Sequence, residues 1–114
     1  MPESLTPGWH AALHAFDADL ARRAVAARTR LAYAQDCERF ADWAAGRGLE
    51  PAEVDVRALR RYVASLSEDG RAPSTIARKL ASLRGLFAVL LTLGERADNP
   101  ADLLSAPKRP QTLP

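Results

Sequence analysis

Apolar residues recur at three- and four-residue spacing through most of the chain, the signature of amphipathic helices. Trp9, Leu13, Phe16 and Leu20 form a first stripe. Tyr33, Cys37, Phe40 and Ala44 form a second. Leu59, Tyr62, Val63 and Leu66 make a third, and Ile76, Leu80, Leu83 and Phe87 a fourth. Nowhere does the alternation of a half-buried strand replace this period.

Punctuation sets the ends. Gly46 and Gly48, Gly70 and Gly94 each follow a stripe, as helix-terminating glycines do. Asp55 is placed to cap the third helix, and Pro73 suits the first turn of the fourth. "DNPADLL" offers Asp98 or Asn99 as the cap of a short fifth helix. "APKRPQTLP" carries three prolines and no period, so it reads as an extended linker.

No breaker divides the first two stripes in "ARRAVAARTRLAY". Their phase does. On one continuous helix the two stripes would differ by about 130° and could not face one core. A turn is therefore expected near Val25 to Arg28. The prediction is an all-α, compact four- to five-helix bundle: a flexible tail over 1–7, a helical domain over 8–106 and a linker over 107–114.

Composition narrows this picture. With 114 residues one domain is expected. No apolar run could cross a bilayer, and the N-terminus shows no secretory h-region. The lone Cys37 has no internal disulfide partner, so the chain reads as cytosolic. The net charge is only +2, yet from Ala21 to Gln35 the only charges are Arg22, Arg23, Arg28 and Arg30. From Gly70 to Gly94 they are Arg71, Arg78, Lys79 and Arg84. Such acid-free basic stretches suit either solvated faces or a polyanionic partner met on one side.

Two faces sharpen the second alternative. Opposite the fourth apolar stripe stand Ser74, Arg78, Ala81, Ser82 and Gly85, small apart from one arginine. On the second helix Leu31 and Gln35 point away from the core, flanked by Arg28, Ala32 and Arg39. Small residues let a helix approach a major groove closely, arginine reads guanine O6/N7, and an apolar group touches a thymine methyl. Asp36, between core and solvent, is expected to pair with Arg39 or with Arg84. His10, His14 and Asp17 share one side of the first helix but lack a fourth ligand, so no metal is assigned. No cofactor is indicated.

"TRLAYAQDCERFADWAAGRG", residues 29–48, resembles the T-x-x-x-Y-x-x-D-x-x-x-F-x-x-W signature of the tyrosine recombinases, Xer type. "STIARKLASLRGL", the later "NP" and "PKRPQTLP" resemble the rest of that family's N-terminal pattern. The resemblance implies a SAM-like core-binding domain, half of a C-shaped clamp whose second and fourth helices lie in adjacent major grooves of a double-stranded recombination site. It implicates Arg28, Thr29, Leu31, Ala32 and Gln35 on the second helix, and Ser74, Thr75, Arg78, Lys79 and Ser82 on the fourth. Recombinase protomers, four on two sites in the parent type, are the implied protein partners, and chromosome-dimer resolution the subtype's commonest duty.

No membrane partner is implied. The family's catalytic tyrosine and His-x-x-Arg box have no counterpart here, and Tyr33 and Tyr62 face the core, so the expectation is a DNA-gripping fragment without catalysis. Where the family turn carries Gly-x-Ser, this chain has Ala24 and Ala26, and Cys37 stands where leucine is usual. The competing reading is a protein-interaction module working through the Trp9–Leu20 stripe.

Overall fold

The computed structural model describes residues 5–104. Within them lie four α-helices: α1 (Pro7–Arg22), α2 (Ala27–Ala45), α3 (Val56–Glu68) and α4 (Pro73–Thr92). Short 3-10 turns at Pro51–Glu53 and Pro100–Leu103 complete the order, and no strand occurs among the described residues. The expected all-α bundle is what the chain forms; its fifth helix is one 3-10 turn. The proposed 107–114 linker and most of the 1–7 tail lie outside the described residues.

Local chemistry explains the boundaries. Thr6 accepts from the Trp9 amide at 3.3 Å and opens α1, with Pro7 in the first turn. Asp55 accepts from the Ala58 amide at 2.9 Å and opens α3. Asn99 accepts from the Ala101 amide at 3.0 Å, and its own amide donates to the Arg84 carbonyl at 3.0 Å, tying the last turn back to α4. Gly48, Gly70 and Gly94 take positive φ where α2, α3 and α4 end.

The α1–α2 corner falls at residues 23–26, close to where stripe phase places it. Ala24 there has φ of 58°, the left-handed region that glycine adopts freely and alanine only at a cost. Ala26 occupies the N-cap of α2 and supplies no side-chain bond. The family pattern's glycine and serine at these positions thus have a physical meaning: one would relieve the turn, the other would cap the helix.

The core runs through all four helices. Trp9, Phe16 and Leu20 of α1 meet Cys37, Phe40 and Ala44 of α2, Leu59, Tyr62 and Leu66 of α3, and Ile76, Leu80, Leu83 and Phe87 of α4. Phe40 is the aromatic hub, edge-on to Trp9, Tyr62 and Phe87 at centroid distances of 5.9, 5.0 and 6.2 Å. The Trp9 indole N–H donates to the Leu49 carbonyl at 2.8 Å, fixing α1 to the loop after α2. The first stripe is therefore core within this chain, with Leu13 half-buried at its edge.

Candidate nucleic-acid interface

The seam between α2 and α4 is built around a buried carboxylate. Asp36 is 3% exposed, and three side chains of α4 converge on it. Arg78 donates Nε to Oδ2 at 3.2 Å and Nη2 to Oδ1 at 2.9 Å. Lys79 donates Nζ to Oδ1 at 3.1 Å, and Ser82 donates Oγ to Oδ2 at 2.9 Å. Burying an aspartate is costly unless its charge is paired and its lone pairs are filled, and here both conditions hold. No buried side-chain nitrogen or oxygen among the described residues lacks a partner.

This arrangement corrects three expectations. Asp36 pairs with Arg78 and Lys79, not with Arg39 or Arg84; Arg84 faces Asp102 at 3.7 Å instead. Ser82, expected on the open face, is fully buried because it turns toward Asp36. Lys79, implicated on the DNA-facing side of the fourth helix as a phosphate contact or a core-edge lysine, is 6% exposed at its side chain and ends on the same carboxylate. Neither Lys79 nor Ser82 presents a group to a ligand in this structure. Gly85 has its own packing reason: a Cβ there would come within 3.0 Å of the Phe16 ring, so its bareness lets α1 approach.

The other sequence-derived positions divide by helix. Arg28, Thr29, Leu31 and Gln35 of α2 are exposed and Ala32 is half-buried. Ser74 and Arg78 of α4 are exposed and Thr75 is half-buried. Arg78 is the connection between the two sets: it reaches α2 while its side chain stays 52% exposed. Going round α2 from Asp36 at 100° per residue, Ala32, Arg39, Arg28, Gln35 and finally Leu31 follow over about 140°. Leu31, 60% exposed, is thus at the far edge of this arc. A ligand touching both Arg78 and Leu31 must span the outer side of α2.

Helical phase alone missed a second basic feature. A groove between the end of α1 and the outer side of α4 gathers Arg22, Arg23 and Arg84 around Ala81, Gly85 and Ala88. Arg22 and Arg23 both bond Asp19, at 2.9 and 3.0 Å. The run of arginines from Ala21 onward was the available signal, but only the fold brings it beside Arg84. Across the α1–α2 corner Arg30 forks onto Asp17, at 3.2 and 2.9 Å. The Arg30 hydrogen bond, with its charge, holds the Asp17 carboxyl below its ordinary value.

No cluster of three or more metal-binding side chains occurs among the described residues. No helix among them is long and apolar enough to cross a membrane. The Cys37 thiol is buried, its Sγ 3.6 Å from the Ser82 carbonyl, and burial first and the Asp36 charge second push its pKa upward. It has none of the thiolate character that reactive cysteines need.

Fold and seam together define a small all-α, SAM-like module with paired, arginine-bearing helices. The sequence model of the phage integrase N-terminal SAM-like domain matches residues 13–94, and the chain belongs to that family. It is 37% identical over 113 residues to tyrosine recombinase XerC of Xanthomonas campestris pv. campestris (strain B100), an alignment covering 95% of this chain and 35% of the relative. It is 35% identical over 94 residues to tyrosine recombinase XerD of Brucella suis biovar 1 (strain 1330), covering 82% and 30%. With XerC of Pelobacter propionicus the identity is 40% over 95 residues, covering 81% and 31%. The chain spans about a third of the length of these relatives. No solved structure matches it.

Proposed function

We propose that the chain is a DNA-gripping module of a site-specific tyrosine recombinase, acting in the cytoplasm on double-stranded recombination sites alongside other recombinase protomers. The observation that carries this reading is Arg78: an arginine whose side chain is 52% exposed at the meeting line of two helices, with Arg28, Thr29, Gln35 and Ser74 exposed on those helices and Leu31 at the far edge. Arg28, Thr29, Leu31, Ala32 and Gln35 of α2, with Ser74, Thr75 and Arg78 of α4, form the duplex-facing set. Lys79 and Ser82 support that set from beneath. Serine and threonine in the first turns of α2 and α4 suit phosphate oxygens, aided by the helix N-termini. The module's part is to hold and orient the site; bond breaking belongs to residues elsewhere in such recombinases.

Family membership and the chemistry of the seam support this reading over a purely protein-binding one. The stripe that the alternative would use, Trp9 to Leu20, is occupied by this chain's own core. Fluorescence anisotropy with a labelled duplex tests the proposal. Log affinity should fall linearly with log salt, by about 0.9 per phosphate neutralised. Arg78→Ala should weaken binding by about 1–3 kcal/mol if the guanidinium meets a base. Absence of duplex binding even at low salt would refute the proposal.

A further inference from the structure

Resting on the DNA-binding reading, we infer that Asp36 is a positioning residue that presents Arg78 for guanine recognition. A guanidinium carries five N–H donors in a rigid plane. Two of them, Nε–H and one Nη2–H, form the fork onto Asp36. That fork fixes the plane and leaves the Nη1–Nη2 edge as the remaining bidentate edge. A guanine presents O6 and N7 as paired acceptors in the major groove, which such an edge matches.

The rest of the cluster makes the carboxylate a stable support. Lys79 and Ser82 hold both oxygens of Asp36 from the buried side. Each element around the group contributes a named part: α2 the acid, α4 the guanidinium, the ammonium and the hydroxyl. An arginine on a mobile side chain loses rotamer freedom when it docks, and one already braced loses less. Arg78 is the one member of the set whose side chain is more than half exposed, 52% against 6% for Lys79. The cluster therefore converts a buried charge pair into an outward-facing, oriented donor pair.

The test is selection of bound duplexes from a random-sequence pool by the 114-residue chain, followed by sequencing. Wild type, Asp36→Asn and Arg78→Lys are compared. Asparagine keeps shape and one carbonyl acceptor but loses the fork; lysine keeps charge but cannot fork. The expected result is a guanine enriched by about tenfold at one position by wild type. Asp36→Asn should lose that preference while retaining its affinity for the unselected pool; Arg78→Lys should lose the preference together with part of its affinity for every duplex. A merely structural Asp36 would lower affinity for all duplexes together.

Circular dichroism checks each variant's fold. Should Asp36→Asn alone fail to fold, Asp36→Asn with Lys79→Met removes the uncompensated ammonium and carries the same expectation. Retention of the guanine preference by a folded Asp36 variant overturns the inference and leaves DNA binding standing. So does duplex retention by wild type without any base preference. Failure of wild type to retain duplex at low salt overturns the DNA-binding reading itself, and this inference with it.

Discussion

Asp36→Ala should be among the most destabilising single changes in the chain, through the cation it strands. Lys79 is nearly sealed, and its ammonium lies 3.1 Å from Asp36 Oδ1. Removing one partner of a buried pair costs about 3–5 kcal/mol, because the other is left charged and dry. Arg78 adds little to that loss, since half of it already faces water. A 114-residue domain unfolds with an entropy that converts 1 kcal/mol into roughly 4 °C, so Tm should fall by about 12–20 °C. Total stability at this size is about 6–17 kcal/mol, so the loss is a large fraction of it.

Urea titration followed by circular dichroism at constant slope measures the effect. The control is Asp36→Leu with Lys79→Met, which replaces the pair by apolar groups of similar volume. It should recover to within about 1 kcal/mol of wild type, as buried pairs replaced together often do. Refutation has two forms: Asp36→Ala losing less than about 1 kcal/mol, or the double variant being as unstable as the single one.

Other expectations concern the corner, the surface pair and the thiol. Ala24→Gly should raise the urea midpoint: the left-handed alanine costs about 1–2 kcal/mol, and the extra freedom of unfolded glycine offsets about 0.4–1 of it. Ala26→Ser should add a further 0.5–2 kcal/mol, roughly, by capping α2. Asp17 has its carboxyl lowered by Arg30 from an ordinary 3.8, so its contribution is present above that pH and fades as pH falls through the lowered value. Asp17→Asn should accordingly flatten the acid limb of the Tm–pH curve. Cys37 and Tyr62 titrate in the opposite sense. Burial raises the thiol above its ordinary 9.0 and the phenol to about 12, so stability is held below the unfolded values and lost as pH rises past about 9. Cys37→Val should soften that alkaline decline, and a thiol-reactive dye should label wild type only as it unfolds.

Helix number, order and most caps are legible in the sequence because they depend on period and on single residues such as Asp55, Pro73 and Gly94. The α1–α2 corner is legible from phase, although nothing in "RRAVAAR" breaks a helix. What stays hidden is the breadth of burial on α4. That helix is contacted by α1 at Gly85, by α2 at Ser82 and by the core at Leu83, so its buried arc is wider than one apolar stripe. Ser82 looks like part of an open face although it is buried, and Gly85 although it is half-buried beside Phe16, because small residues serve close packing and close ligand approach alike. Lys79 is illegible for a related reason. A lysine one position from the stripe has no sequence mark that says a carboxylate waits for it, and the acid is 43 residues away.

The seating of the first helix sets a rule for any assembly the chain enters. Because Trp9, Phe16 and Leu20 are spent inward and the indole is moored to Leu49, α1 cannot be lent to another molecule without stripping its own bundle of large aromatic volume. What α1 can offer a neighbour is its reverse side, where His10, Ala11, His14 and Ala21 look out.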